Sequence, residues 1–259
     1  MQVVQSGDIR YYCFDNLLSW DIPHAVITRR GGVSPKPWAT LNLGATVGDD
    51  PERVKENRRK AFEAVGRDIS TYYDVWQVHS RKVICTHIPR DPNTPHEKAD
   101  AVLTNTPGLT LFMRFADCVP ILLFDPVKKV VGLVHSGWMG TVKQIAVAVV
   151  EKMTAEYGTH PVDIIAGIGP SICQDHYEVG ENVVQKIYQT FGADGEKFFR
   201  NNNGHFWFNL WEANKYLLAK AGVEQIEISG ICTACHLEDW FSHRGEAGKT
   251  GRFGVMIGL

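Results

Sequence analysis

Hydrophobic positions recur along this chain at two spacings, and the spacings divide it into helices and strands. Asp50 and Pro51 stand as N-cap and first helical residue before Val54, Ala61, Phe62 and Val65, which share one helical face and predict a helix ending at Gly66. A second helix is expected after Gly140, with Val142, Ile145, Val149 and Met153 as its apolar stripe and Gly158 as its stop. A third spans residues 181–191. A fourth begins at Asn209, with Glu212 placed as in a capping box. Between them lie short β-rich runs at 75–88, 109–115, 119–124, 130–135, 164–168 and 226–231. Several of these follow one another without an intervening helix, so a strictly alternating parallel sheet is not expected. The pattern predicts an α/β or α+β fold, a mixed β-sheet flanked by helices.

No repeat, low-complexity tract or long linker interrupts the pattern. Residues 91–96 (D-P-N-T-P-H) and 201–204 (N-N-N-G) read as surface loops, so residues 1–259 are expected to form a single layered domain. With 44% hydrophobic and 22% charged residues the chain has the balance of a globular protein able to bury a core. A net charge of −2 gives no general attraction to nucleic acid or to an anionic membrane. The longest apolar runs, such as 130–134, are too short to span a bilayer, and residues 1–10 lack the apolar centre of a secretion signal. These features predict a cytoplasmic protein whose six cysteines are reduced, and are therefore buried small residues, metal ligands or nucleophiles.

The densest chemistry lies between Asp117 and Thr141. The apolar strand V-V-G-L-V runs into His135, and S-G-W-M-G-T follows before the second helix, so glycines and a helix start sit at a strand end where ligands commonly bind. A lone histidine there is more often a core residue at a tight turn. Cys118, in A-D-C-V-P, alone reads as a buried cysteine, and His79, in W-Q-V-H-S, says little by itself. Taken together, His79, Cys118 and His135 are too widely spaced for a zinc finger. They suit a catalytic zinc, which draws three ligands from separate elements and keeps an open position. Cys232 and Cys235, in C-T-A-C-H, match both a c-type haem attachment motif and half of a structural zinc site. No second pair is evident, and two packed cysteines after a strand is the leading reading. Arg29 and Arg30 before a glycine pair, and Arg244 in F-S-H-R-G, are each either an anion clamp or a solvated turn.

The sequence closely resembles the laccase-domain family, also called multicopper polyphenol oxidases, whose bacterial members are described as purine nucleoside phosphorylases. The matching pieces run in order through nearly the whole chain: T-R-R-G-G-V-S (28–34), L-N-L-G (41–44), V-G-D-D-P (47–51), E-N-R-R (56–59), Q-V-H (77–79) and A-D-A-V-L-T (99–104). They continue with A-D-C-V-P-I (116–121), V-H-S-G-W-M-G-T (134–141), G-P-S-I-C (169–173), F-S-H-R (241–244) and T-G-R (250–252). The resemblance implies metal ligands at His79, Cys118 and His135, with Zn2+ as the metal and Cu2+ as the alternative. It implies phosphate-dependent cleavage of adenosine, inosine and methylthioadenosine, with adenosine deamination as a further activity, and a substrate pocket that includes Arg29 and Asn42. Asp117 is the candidate acid/base by proximity to Cys118. One departure stands out: Met139 occupies a position where family members commonly carry a basic residue, and Arg114 is the candidate to compensate.

Three rivals remain at the level of sequence. A four-copper oxidase needs many histidines, often as H-x-H pairs, and this chain has ten histidines and no such pair. A metal-free cysteine hydrolase would use Cys118 as nucleophile with His79 or His135 as base. A non-catalytic binding protein would have no need of three soft ligands beside Gly-rich turns.

Overall fold

The computed structural model describes all residues, Met1–Leu259, and arranges them in four layers, helix, sheet, sheet, helices. The first six-stranded sheet runs in the order Gln2–Ser6, Ile9–Cys13, His24–Ile27, Phe253–Gly258, Thr110–Phe115, Tyr72–Tyr73. The second runs Gln225–Ile228, Ile165–Ile168, Val119–Asp125, Val130–Ser136, Ala101–Thr104, Val83–Cys85. Both are mixed: neighbours are antiparallel except for the pairs Tyr72–Tyr73 with Thr110–Phe115, Val83–Cys85 with Ala101–Thr104, and Ile165–Ile168 with Gln225–Ile228. A small third sheet joins Glu178–Val179, His205–Phe208 and Phe199–Asn202. The mixed α/β class expected from the sequence holds, with several sheets in place of one. No helix is long and apolar enough to cross a membrane.

The strands read as continuous apolar runs because both faces are covered. In Val119–Asp125, Leu122 and Phe124 face the other sheet, while Ile121 and Leu123 face helices Ile145–Tyr157 and Leu210–Lys220. Val131 and Leu133 join the inter-sheet core, where they meet Leu111, Met113, Phe115, Phe253, Val255 and Ile257 of the first sheet. The outer face of that sheet packs Ile27, Phe112 and Met256 on Ala61 and Phe62 of helix Pro51–Ala64. Each such fully buried side chain stabilises the fold by about 1.5–3 kcal/mol relative to exposure.

The helices start where the caps predicted. The Asp50 carboxylate accepts from the Glu52 and Arg53 N–H groups at 2.9 and 3.2 Å, with Pro51 next in line. Asn209 accepts from Glu212 N–H at 3.1 Å, but its own N–H goes to the Phe198 carbonyl, so only half of a capping box forms. The helix expected after Gly140 is two pieces, Trp138–Val142 and Ile145–Tyr157, split at left-handed Gln144. Its first turn is pinned by a buried network in which Asn214 accepts from Ser136 Oγ at 2.7 Å and donates to Thr141 Oγ1 at 3.1 Å.

The run 75–88 is not one strand. Tyr72–Tyr73 belongs to the first sheet and Val83–Cys85 to the second, and the chain crosses between them in a loop. The Trp76 N–H bonds the Glu97 carbonyl, and those of Val78, His79 and Ser80 converge on the Asp100 carboxylate, which leaves no ladder for a strand.

Candidate active site

The three candidate ligands arrive from places where the chain leaves a sheet. His79 lies in the crossing loop just described, with φ +56. Cys118 sits in the turn that carries the chain from Thr110–Phe115 in the first sheet to Val119–Asp125 in the second, beside Asp117 with φ +81. His135 is near the end of Val130–Ser136, opposite Pro120. Their donor atoms all lie within 4.8 Å of one another, with Cys118 Sγ 3.9 Å from His79 Nε2. Gly137 follows closely, and a Cβ there would stand 2.8 Å from the Cys118 sulfur, so the glycine makes room for the thiol.

Asp100 organises this group. It is fully buried, and its Oδ1 lies 2.9 Å from His135 Nδ1 and accepts from His79 N–H at 3.0 Å. Its Oδ2 accepts from the Ser80 N–H at 2.5 Å and the Ser80 hydroxyl at 2.7 Å. Burial works against its charge, but these bonds outweigh burial and hold its carboxyl down to about 2. With Nδ1 engaged, Nε2 of His135 is the nitrogen left to face Cys118. Burial also opposes charge on both Cys118 and His135, yet each stabilises the other: the thiol is lowered and the imidazole raised. A cysteine and two histidines within reach of one point, with an open side, fit a metal held by three protein ligands, and a carboxylate behind one histidine fits the usual outer support.

The open side is a cavity of about 510 Å³. Trp76, Phe115 and Tyr177 give it aromatic walls, and Arg58, Arg114, Arg244 and Arg252 point positive charge into it. Arg114 is tied to the buried Asp74, which also pairs with Arg90. Arg58, Arg244 and Arg252 have no carboxylate partner: Arg58 donates to the Leu43 carbonyl at 3.0 Å, Arg244 to the Glu178 carbonyl at 3.0 Å and Arg252 to the Gly251 carbonyl at 2.7 Å. Burial lowers the guanidinium pKa values of Arg58 and Arg252, and for Arg58 the charge of Arg114 adds to the effect. Unpaired guanidiniums at a concave surface make an anion site.

Of the other expected site residues, Asp117 and Arg244 line the cavity and Arg29 and Asn42 do not. Arg29 does not line the cavity. Its guanidinium donates to the Ala39, Leu237 and Trp240 carbonyls and to Glu246, and lies 4.3 Å over the Phe241 ring. Asn42 is buried behind the cavity wall, where its Oδ1 accepts from the Gly44 and Arg252 N–H groups at 3.0 and 2.9 Å and so positions two lining residues. Asp117 does line the cavity, but its oxygens accept from Thr233, Ser242 and the Arg244 N–H at 2.6–2.7 Å, which makes it a brace rather than a free acid/base. Arg244 lines the cavity as expected, 5.2 Å over the Tyr177 ring. Met139 is half-buried outside the lining, whereas Arg114 is in it.

Sequence reasoning assigned no role to Asp100, Arg58 or Arg252. Each sits inside a quoted motif, A-D-A-V-L-T, E-N-R-R and T-G-R, but nothing in the spacing points those side chains at the cavity.

Comparison with known proteins gives a consistent answer. The chain is 40% identical over 239 residues to a purine nucleoside phosphorylase of Deinococcus radiodurans, covering 92% of this chain and 89% of that protein. It is 35% identical over 240 residues to purine nucleoside phosphorylase YlmD of Bacillus subtilis, covering 90% of this chain and 86% of that protein. The crystal structure of YlmD from Geobacillus stearothermophilus superposes with a TM-score of 0.91 at 31% identity, covering 98% of this chain and 97% of that one. Residues 23–259 match the family model described as multi-copper polyphenol oxidoreductase laccase, and the chain belongs to that family.

Proposed function

We propose that this protein is a zinc-dependent purine nucleoside phosphorylase acting on adenosine, inosine and methylthioadenosine. One observation carries the reading: a His/Cys/His donor group and three guanidiniums without carboxylate partners, Arg58, Arg244 and Arg252, face the same cavity. The relatives named as purine nucleoside phosphorylases support it.

In this reading Arg58 and Arg252 bind inorganic phosphate, with Arg114 adding charge from its anchored position on Asp74. Trp76, Phe115 and Tyr177 offer ring faces for a purine. A phosphate oxygen forms a bond to ribose C1′ while the C1′–N9 bond breaks and its electron pair leaves with the base. The proton of the attacking hydrogenphosphate ends on the purine, so the products are the neutral base and ribose 1-phosphate, or 5-methylthioribose 1-phosphate from methylthioadenosine. His79, Cys118 and His135 would hold the zinc, which when bound would supply a fixed positive charge and Lewis acidity. Asp100 keeps His135 in the tautomer that presents Nε2. Adenosine deamination, in which water replaces ammonia at C6, is assigned to the same cavity as a second activity.

A second reading draws on the Cys118–His135–Asp100 arrangement, which is also that of a cysteine nucleophile with an oriented base. One experiment separates them: base release from inosine measured with and without phosphate, before and after chelation. The phosphorylase requires phosphate, fails in His79→Ala, Cys118→Ala and His135→Ala, and shows a phosphate KM raised about tenfold or more in Arg58→Ala and Arg252→Ala. Phosphate-independent cleavage that survives chelation and is abolished by alkylation of Cys118 would establish the hydrolase instead. Phenol oxidation with bound copper and no base release would establish the oxidase.

A further inference from the structure

We propose that the chain holds a second metal centre, a closed structural zinc site formed by Cys173, His176, Cys232 and Cys235. The four donor atoms lie within 4.8 Å of one another, and all the cysteines are free. His176 Nδ1 is 3.4 Å from Cys173 Sγ, 3.5 Å from Cys235 Sγ and 3.9 Å from Cys232 Sγ. Zinc bonds of about 2.3 Å to sulfur and about 2.0–2.1 Å to nitrogen, at tetrahedral angles, place S and N about 3.5 Å apart. The cluster has that spacing already.

The topology explains why two distant segments supply one site. Ile165–Ile168 and Gln225–Ile228 are parallel neighbours, so the chains that follow them leave the same end of the sheet side by side and are bridged at Ser171 and Cys232. One then contributes Cys-x-x-His (173–176) and the other Cys-x-x-Cys (232–235), which are chelating spacings for zinc. The Cys173 N–H points at Cys232 Sγ at 3.3 Å, a bond suited to a ligating sulfur. Four protein donors leave no open position, which marks the site as structural rather than catalytic. The haem reading of C-T-A-C-H falls away, because Cys232 and Cys235 face Cys173 and His176 while His236 turns to Glu238.

The cluster sits behind the cavity wall. Thr233, between two of its cysteines, donates to Asp117 at 2.7 Å, and Tyr177, next to His176, lines the cavity under Arg244. Zinc here therefore cross-links the two loops that hold this wall.

The test uses the full chain, purified under reducing conditions, with the first site removed by His79→Ala/Cys118→Ala/His135→Ala. This background reads the second centre alone, whatever the first one does. One zinc per chain is expected to remain, and cobalt(II) substitution is expected to give intense thiolate-to-cobalt charge-transfer absorption with tetrahedral d–d bands. Cys173→Ser or Cys235→Ser added to that background abolishes both signals, and in the otherwise native chain each raises the nucleoside KM more than it lowers kcat. A folded first-site variant that takes up neither zinc nor cobalt with its thiols reduced, or that binds them equally well after either serine substitution, overturns the proposal.

Discussion

Asp100→Asn tests whether the carboxylate, and not merely its shape, holds the candidate metal site together. In the native protein every group around Asp100 donates: the Val78, His79 and Ser80 N–H groups, the Ser80 hydroxyl and His135 Nδ1. Asparagine fills the same volume but turns one acceptor oxygen into an NH2. If the NH2 takes the Oδ1 position it faces the His79 N–H, and it favours the His135 tautomer with the proton on Nε2, the wrong one for a ligand. If it takes the Oδ2 position it faces the Ser80 N–H. Either way one buried donor loses its partner, at a cost of about 1–3 kcal/mol of stability. In a chain of this size each kcal/mol lowers Tm by roughly 2–4 °C. Loss of an outer partner to a ligating histidine typically weakens metal binding by about 10–100-fold, equivalent to about 1.4–2.7 kcal/mol. The assay is zinc affinity by competition with a chromogenic chelator, paired with thermal unfolding of the stripped protein. A variant that binds zinc as tightly as the native chain, whatever its Tm, would refute the role assigned to Asp100.

Two further substitutions probe the residues around the cavity. Arg29→Ala removes an ion pair to Glu246 and several carbonyl contacts outside the cavity, so it is expected to lower stability by roughly 3 kcal/mol with nucleoside and phosphate KM unchanged; a raised phosphate KM in a normally stable variant would return Arg29 to the binding site. Asp74→Asn leaves Arg90 and Arg114 without their carboxylate and is expected to cost about 3–5 kcal/mol near neutral pH. Burial opposes the charge of Asp74, but His96 and Arg114 overcome it and hold its carboxyl well below the usual carboxylate range. A carboxyl depressed in the folded state contributes stability that is present above its unfolded value, 3.8, and lost as pH falls below it. Urea midpoints of the native and Asp74→Asn proteins are therefore expected to converge as pH drops below that value; a gap that stays constant from neutral pH to pH 3 would contradict the assignment.

What the sequence disclosed followed the range of the interactions involved. Local rules placed helices Pro51–Ala64 and Glu181–Phe191 to within a residue or two, because Asp50, Pro51 and Gly66 act on their own turns. They passed over the N-terminal hairpin, whose first strand is mostly exposed and alternates only weakly, and the strand Phe253–Gly258, whose glycines dilute a strand signal. Gly254 is there for packing: a Cβ would fall 2.5 Å from Leu43 and 2.7 Å from Phe112. The run 75–88 misled because its residue types favour strand while a carboxylate at residue 100 takes their N–H groups. The candidate ligands were legible as types, and the resemblance joined them. Arg29 looked like an anion clamp while Arg58 drew no notice, and only the carbonyls around Arg29 and the missing carboxylate near Arg58 tell them apart. Cys173 and His176 lacked a visible partner because the parallel pairing that brings Cys232 and Cys235 to them joins residues 60 apart in sequence, Ile165 with Gln225.

The position of the site between the sheets has a physical consequence of its own. Phe115 and Phe253 stack 5.9 Å apart at the end of the inter-sheet core, and Phe115 lies 5.5 Å from the His135 ring. The His/Cys/His group thus stands on an apolar wall, with guanidiniums across the cavity and a buried carboxylate behind it. Such a setting weakens screening by water, so each charge there acts over a longer range than on the surface. The same setting makes an unbalanced charge costly. For Cys118 and His135 burial opposes charge, yet each favours the charged form of the other, the thiol lowered and the imidazole raised. Zinc titration at several pH values is expected to show affinity rising with pH, because a proposed thiolate and imidazole donor set must lose its protons to bind; a pH-independent affinity would contradict the proposed ligands. A lone histidine in the core would need neither Asp100 nor the open side, and the presence of both supports the metal-site reading over that of a packed residue.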